Sequence, residues 1–131
     1  MTEHPGPLTR WHQIAASRDP AGLAELLDAD CVFRSPAVHT PQEGRELTTA
    51  YLRAALVVLG PTLRYEHEWW DERSAVLEFT AELEGLSVHG IDMMRWNDEA
   101  RLVEFTVMVR PFKGLTKLIE LMAAELTHPQ G

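Results

Sequence analysis

Cysteine and basic side chains are both scarce in this sequence, and each scarcity excludes a class of protein. The 131 residues include one cysteine, Cys31, so neither an internal disulfide framework nor a cysteine-based zinc site can form. We expect Cys31 to pack as a small apolar side chain. Twelve lysines and arginines face 20 aspartates and glutamates, which gives a net charge of −8. Without a basic patch to offset phosphates, neither nucleic acid nor an anionic membrane is expected as a partner.

Long apolar runs are also absent. The longest uninterrupted apolar stretch, AALVVL at residues 54–59, is far too short to span a bilayer. The N-terminus has no apolar segment of the kind that a signal peptide requires, so a cytoplasmic location is expected. With 45% hydrophobic and 24% charged residues, the composition is typical of one globular domain covering residues 1–131.

Sequence motifs for metals and phosphates are missing as well. No glycine-rich phosphate loop and no H-x-H, H-E-x-x-H or C-x-x-C spacing occurs. His89 and Asp92 cannot chelate one ion together, because they would project from opposite faces of a regular strand. We therefore expect neither a metal nor a cofactor.

The hydrophobic period changes halfway along the chain. In the first half, helical spacing predicts three helices, at residues 8–17, 18–30 and 45–59. A short strand is predicted at residues 31–36, where it ends at Pro36. In the second half, four segments alternate with period two, at residues 62–71, 75–85, 86–98 and 101–111. A last helix is predicted at residues 114–126. This order predicts an α+β fold in which a curved antiparallel sheet wraps around helices, with a C-terminal helix.

Strand parity makes Asp92 the most informative residue. In the segment SVHGIDMMRWND, residues 87–98, one face carries Val88, Gly90, Asp92, Met94 and Trp96. Both neighbouring segments have one cleanly apolar face, and this face is the best match to them. Asp92 is then buried among apolar side chains, where desolvation raises a carboxyl pKa towards neutral pH.

Two alternatives to this prediction stay open. A bulge at Gly90 would reverse the parity of the segment and turn Asp92 outward. A buried Asp92 can also have a purely structural role, as the partner of an indole N–H of Trp11 or Trp96, or of His67.

Several features in order make the chain resemble a nuclear transport factor 2-like, SnoaL-like domain over nearly its whole length. They are the pattern RD…L..LL..D..F.SP after the leading helix, the loop that ends in Gly44 before a helix, and G.D..R before the last strand. The resemblance implies a cone-shaped sheet around a deep apolar pocket, and often a dimer. The family includes isomerases, epoxide hydrolases, polyketide cyclases and dehydratases, so the fold alone does not decide the function.

The resemblance also bears on single residues. GIDMMRWND is similar to the ketosteroid isomerase segment whose aspartate stays protonated and donates a hydrogen bond to the developing oxyanion, and Asp92 occupies the matching position. Trp11, however, stands in place of the oxyanion-hole tyrosine, and Ser35 in place of the aspartate base. The Arg-x-Asp pair of the epoxide hydrolases is missing too, since Gly90 precedes Asp92 by two. The nearest remaining likeness is to polyketide-cyclase-like members, in which one pocket acid and histidines suffice for proton transfer.

Two histidines are the candidate helpers of Asp92. His39 lies in the loop predicted to form the pocket rim, where it can shuttle protons or be an ordinary solvated loop residue. His67 shares strand parity with Leu63 and Tyr65, which indicates an inward side chain. Bulky side chains are predicted to line the pocket and contact the ligand: Trp11, Phe33, Tyr51, Phe79, Met94, Trp96 and Phe105.

The sequence thus supports two functions. The preferred one is a cofactor-free acid–base enzyme of isomerase, cyclase or dehydratase type that acts on a small apolar molecule. The alternative is a non-catalytic ligand-binding or dimerisation domain, and an enzyme would need two or more converging titratable groups in the pocket. Apolar Ile91, Met93 and Met108 on the outer face predict a homodimer through that face.

Overall fold

The computed structural model describes residues 4–127, which form an α+β fold. Its helices are α1 (Gly6–Ser17), α2 (Leu23–Leu26), α3 (Arg45–Val58) and α4 (Phe112–Thr127), and a 3-10 turn, Pro20–Gly22, precedes α2. Its strands are β1 (Leu27–Arg34), β2 (Gln42–Glu43), β3 (Arg64–Trp70), β4 (Ser74–Leu83), β5 (Leu86–Trp96) and β6 (Leu102–Arg110).

One six-stranded sheet organises the molecule, in the order β2-β1-β6-β5-β4-β3. The predicted meander β3–β6 is antiparallel throughout, whereas β1 pairs with β6 in parallel. The edge strands β2 and β3 do not meet, so the sheet stays open. Helix α3 packs on β1, and α4 packs on α3 and on strands β4 to β6. The predicted curved sheet around helices, with a C-terminal helix, is confirmed.

The β4–β5 hairpin fixes the face on which Asp92 lies. Glu84 and Gly85 both have positive φ, 49° and 86°, which is the geometry of a tight two-residue hairpin turn. Pairing then continues without a bulge from Leu83–Leu86 to the far end of β5. β5 therefore has no bulge at Gly90 that would reverse its parity, and alternate residues from residue 88 to residue 96 are buried.

Gly90 has a packing role in this hairpin. A Cβ atom at this position would lie 2.3 Å from the carbonyl oxygen of Met108 and 2.8 Å from Cζ of Phe79. The missing side chain therefore lets the Phe79 ring lie directly against β5, two residues from Asp92 on the same face.

A bulge in β3 contradicts one predicted orientation. Tyr65 pairs with Phe79 and His67 pairs with Glu78, so Glu66 is an extra residue between two consecutive partners. The extra residue reverses the alternation. Tyr65 consequently points to the concave side, while His67, predicted to share its direction, is exposed on the outer face.

The second predicted helix is shorter than its sequence pattern indicates. It ends at Leu26, and β1 begins at Leu27, which pairs with Leu102 of β6. Cys31 in β1 is buried in the core, as predicted, and burial raises the pKa of its thiol. Within residues 4–127, no helix combines the length and the apolar character that crossing a bilayer requires.

Candidate active site

A cavity of about 190 Å³ lies between the concave face of the sheet and helices α1, α3 and α4. Its lining is dominated by apolar and aromatic side chains. Five of the seven side chains predicted to form the wall do line it: Trp11, Phe33, Tyr51, Phe79 and Phe105. The other two, Met94 and Trp96, are buried but stand outside the lining. They follow Asp92 by two and four residues along β5. Because a strand rises by about 3.4 Å per residue, both side chains lie beyond the end of the cavity.

Asp92 lies at the floor of this cavity, with only 6% of its surface exposed. Its neighbours across the sheet are Leu77 on β4 and Val107 on β6, both apolar. Burial raises the pKa of Asp92 to about 7, although a hydrogen bond from Tyr65 opposes the shift. Asp92 is therefore buried on the face predicted from strand parity.

Tyr65 is the partner of Asp92, and sequence reasoning did not propose it. Its hydroxyl donates a hydrogen bond to Oδ2 of Asp92 over 2.5 Å. Nε1–H of Trp11 donates in turn to the Tyr65 oxygen over 2.9 Å, so three side chains from α1, β3 and β5 form one chain of hydrogen bonds. Burial, and then the neighbouring Asp92 carboxylate, raise the pKa of Tyr65 well above that of an ordinary phenol. The sequence feature that could have indicated Tyr65 is its strand parity with Leu63, because Leu63 also lines the cavity.

The structural partners suggested for Asp92 are engaged elsewhere. The Trp96 indole donates to the carbonyl oxygen of Glu72 over 3.0 Å. Nδ1 of His67 lies 2.7 Å from Oε1 of Glu78 on the outer face. Trp11 reaches Asp92 only through Tyr65.

Neither candidate catalytic histidine lines the cavity. His67 is turned outward by the bulge in β3, and the second oxygen of its partner Glu78 lies 2.7 Å from Nε2 of His89. His39 is exposed in the loop between β1 and β2, whose residues 35–38 form one side of the cavity rim. The structure thus brings Asp92 together with Tyr65 and Trp11, and separates it from both histidines.

Ser35 lies where the ketosteroid isomerase resemblance implies an aspartate. It lines the cavity, and its Oγ accepts a hydrogen bond from the backbone N–H of Ala37 over 2.9 Å, as expected for a residue at a strand end. Among the lining residues of the described chain, Asp92 carries the only carboxyl group.

The arrangement can support proton transfer. A carboxyl group with a pKa close to 7 is present in both protonation states at neutral pH, so it can give or take a proton. Apolar walls exclude competing water and strengthen any hydrogen bond formed inside the cavity. Two titratable groups, Asp92 and Tyr65, meet at its floor.

The open, curved sheet that encloses a pocket with its helices defines the nuclear transport factor 2-like class of α+β folds. Within that class, the chain belongs to the family of SnoaL-like domain proteins, whose model matches residues 8–105.

Two solved structures are similar to this chain over most of its length. A steroid delta-isomerase from Pseudomonas aeruginosa is 41% identical with a TM-score of 0.88, over 92% of this chain and 89% of the isomerase. A bacterial protein with a cystatin-like fold from Silicibacter pomeroyi is 24% identical with a TM-score of 0.87, over 95% and 87% of the two chains.

More distant similarity concerns the fold alone. SalBIII, an epoxide hydrolase/cyclase-like enzyme of pyran ring formation in salinomycin, is 13% identical with a TM-score of 0.66, over 82% of this chain and 90% of SalBIII. No curated protein is significantly similar to this chain in sequence.

Proposed function

We propose that the protein is a cofactor-free isomerase that moves a proton between two carbon atoms of a small, mostly apolar ketone. The observation that carries the proposal is the 2.5 Å hydrogen bond between Tyr65 and Asp92 at the floor of an apolar cavity. A single carboxyl of pKa about 7 can remove a proton next to a carbonyl and return it to another carbon. Such a shift of a double bond needs no redox partner and no second substrate.

Tyr65 would stabilise the charge that develops during this transfer. While Asp92 is ionised, the Tyr65 hydroxyl donates to its carboxylate. When Asp92 takes the substrate proton, the carboxyl loses its charge, and the hydroxyl is released to donate to the enolate oxygen instead. The hydrogen bond that Tyr65 accepts from Trp11 polarises its hydroxyl and makes it a stronger donor. Trp11 would thus be a positioning residue that acts through Tyr65.

The size of the cavity limits the substrate. At about 190 Å³, it is somewhat larger than the roughly 150 Å³ that suffices for benzene. It is smaller than the pockets of about 300 Å³ or more that hold drug-sized ligands. A substrate of one or two rings fits this space, whereas four fused rings would require α4 or the rim loop to move outward.

Similarity to the Pseudomonas aeruginosa steroid delta-isomerase supports a double-bond shift as the reaction. The lack of a second carboxyl in the described lining argues that Asp92 performs both proton transfers itself. These two considerations select β,γ-unsaturated ketones as the substrate class.

The test is a panel of β,γ-unsaturated ketones with one, two and four rings, followed by the ultraviolet absorbance of the conjugated product. We expect turnover of the one- or two-ring ketones. Asp92→Asn should lower kcat/KM by at least about 100-fold, because it removes the acid–base group. Tyr65→Phe should also lower it by about 100-fold, which is typical for the loss of one oxyanion donor.

The control is Asp98→Asn, which removes an exposed carboxylate that pairs with Arg73 and does not line the cavity. It should keep the parent activity. The parent kcat/KM should rise with pH through about 7 and then level off, because the ionised form of Asp92 takes the first proton. Turnover that survives in Asp92→Asn, or a pH profile that falls through this range, would refute the proposal.

A ligand-binding role without catalysis is the second candidate. The observation in its favour is that one carboxyl stands alone among the described lining residues. In that case, the ketones would bind with measurable affinity, and the parent protein would leave all of them unchanged.

Homodimer formation through the outer sheet face, where Met108 is exposed, stays a prediction.

A further inference from the structure

Two histidines and one glutamate meet on the protein surface, where the segment before α1 and α1 itself approach β3. Nε2 of His4 lies 2.5 Å from Oε1 of Glu68, and Nε2 of His12 lies 2.7 Å from Oε2 of the same carboxylate. Within residues 4–127, this is the only group of three histidine, cysteine or acidic side chains whose ligand atoms all lie within 4.8 Å of one another.

Neighbouring rings hold both imidazoles in place. The two histidine rings stack on each other, with centroids 5.6 Å apart and planes inclined by 24°. Trp70 meets the His4 ring edge to face at 4.7 Å, and Tyr65 meets the His12 ring at 5.4 Å. All three ligand side chains are partly exposed and face a shallow groove, so an ion can reach them from solvent.

We propose that His4 Nε2, His12 Nε2 and the Glu68 carboxylate bind a divalent transition-metal ion of the zinc type. Two imidazoles and one carboxylate are a donor set that suits zinc, with bonds of about 2.0–2.2 Å. Three protein ligands leave the fourth tetrahedral position to water, which the open groove can supply. Metal binding here does not require the function proposed for the Asp92 cavity, although Tyr65 borders both sites.

The distances are compatible with an ion after a small adjustment. Donor atoms around a tetrahedral zinc ion lie about 3.3 Å apart, which follows from bonds of about 2 Å. The nitrogen–oxygen distances of 2.5 and 2.7 Å must therefore lengthen by less than about 1 Å. The two histidine nitrogens, which lie within 4.8 Å of each other, must approach by at most about 1.5 Å. Partly exposed side chains can move that far by small rotations about their χ angles.

A second triplet on the same protein provides an internal comparison. Glu78 also lies between two histidines, His67 and His89, each at 2.7 Å from one of its oxygens. Its donor atoms, however, do not all come within 4.8 Å of one another. His67 is the residue next to Glu68, so its removal tests whether any nearby histidine would weaken metal binding.

The experiment is calorimetric titration of untagged, chelator-treated protein with zinc chloride at pH 7.5. We expect one ion per chain with a dissociation constant of about 10 μM or lower. His4→Ala, His12→Ala and Glu68→Gln should each weaken binding at least about tenfold, since even indirect partners of a metal contribute on the order of 10–100-fold. His67→Ala and His39→Ala should stay within about twofold of the parent.

Thermal unfolding gives a second readout. Excess zinc should raise the Tm of the parent by about 5 °C or more, because the ion ties α1 and the preceding segment to β3. Glu68→Gln should lose that rise while it keeps the parent Tm in the presence of chelator, which shows that it folds. Three results would overturn the site: no heat of binding up to millimolar zinc, unchanged affinity in any of the three ligand variants, or an equal loss in His67→Ala.

Discussion

Asp92→Asn is expected to be more stable than the parent protein in alkaline solution, and to lose this advantage in acid. Burial raises the pKa of the Asp92 carboxyl from 3.8 to about 7. The folded protein therefore keeps a proton that the unfolded chain releases above about pH 4. As the pH rises from about 4 to 7, this one group lowers the stability of the parent by about 4 kcal/mol for a shift of this size. An asparagine side chain does not titrate in this range, so Asp92→Asn does not lose stability in this way as the pH rises.

The comparison between the two proteins at several pH values isolates this effect. The amide can still accept the hydrogen bond from Tyr65, and any cost of its unpaired N–H groups is the same at every pH. Urea unfolding at pH 4.5, 6 and 8.5 should show the free energy of Asp92→Asn rising relative to the parent by about 3–4 kcal/mol. Asp98→Asn, at a residue whose side chain is 82% exposed, should show no such trend. A gap between Asp92→Asn and the parent that does not change with pH would mean that Asp92 is ionised in the folded protein.

Phe105→Ala should lower the free energy of unfolding by about 3–5 kcal/mol. The Phe105 ring is 1% exposed, and its centroid lies 4.8 Å from that of Trp11 and 6.2 Å from that of Phe33. Its removal leaves a hole that these neighbours cannot close, because they are anchored on α1 and β1.

The matched control is the same substitution at Phe112, which is 83% exposed at the start of α4. Phe112→Ala should change the free energy of unfolding by no more than about 0.5 kcal/mol. A loss below about 1 kcal/mol in Phe105→Ala would contradict the packing described for the cavity wall.

Regular alternation explains why the position of Asp92 could be predicted from the sequence. Two neighbouring strands each have one apolar face, and β5 pairs with both of them in unbroken register around Asp92. Burial then determines the direction of the pKa shift without further information. Gly90 was the one position at which a bulge could have changed this parity, and it instead allows the Phe79 ring to approach the strand closely.

The partner of Asp92 could not be predicted with the same ease. A bulge adds one residue to β3, and a pattern of period two cannot show where such an addition lies. It separates Tyr65, which faces the cavity, from His67, which does not. The hydrogen bond from Tyr65 to Asp92 also joins strands that are not neighbours in the sheet, since β4 lies between them.

The cluster of His4, His12 and Glu68 could not be predicted from sequence motifs, because its members come from segments that are distant in sequence. Motifs such as H-E-x-x-H describe ligands that lie close together on one element. Glu68 comes from β3, 56 residues after His12, and meets it only because α1 packs near that strand. The expectation that no metal binds rested on motif spacing, on the single cysteine and on the parity of one strand, and none of these reports contacts between distant segments.

A carbon-detected NMR titration of the Asp92 carboxyl tests the central claim most directly, because it reports the protonation of this one group in the folded protein. We predict a midpoint of about 7, so that the carboxyl is largely protonated at pH 6 and largely ionised at pH 8. Tyr65→Phe should raise the midpoint further, because the phenol hydrogen bond favours the ionised form. A midpoint at or below about 4, the value of a solvated aspartate, would contradict the account.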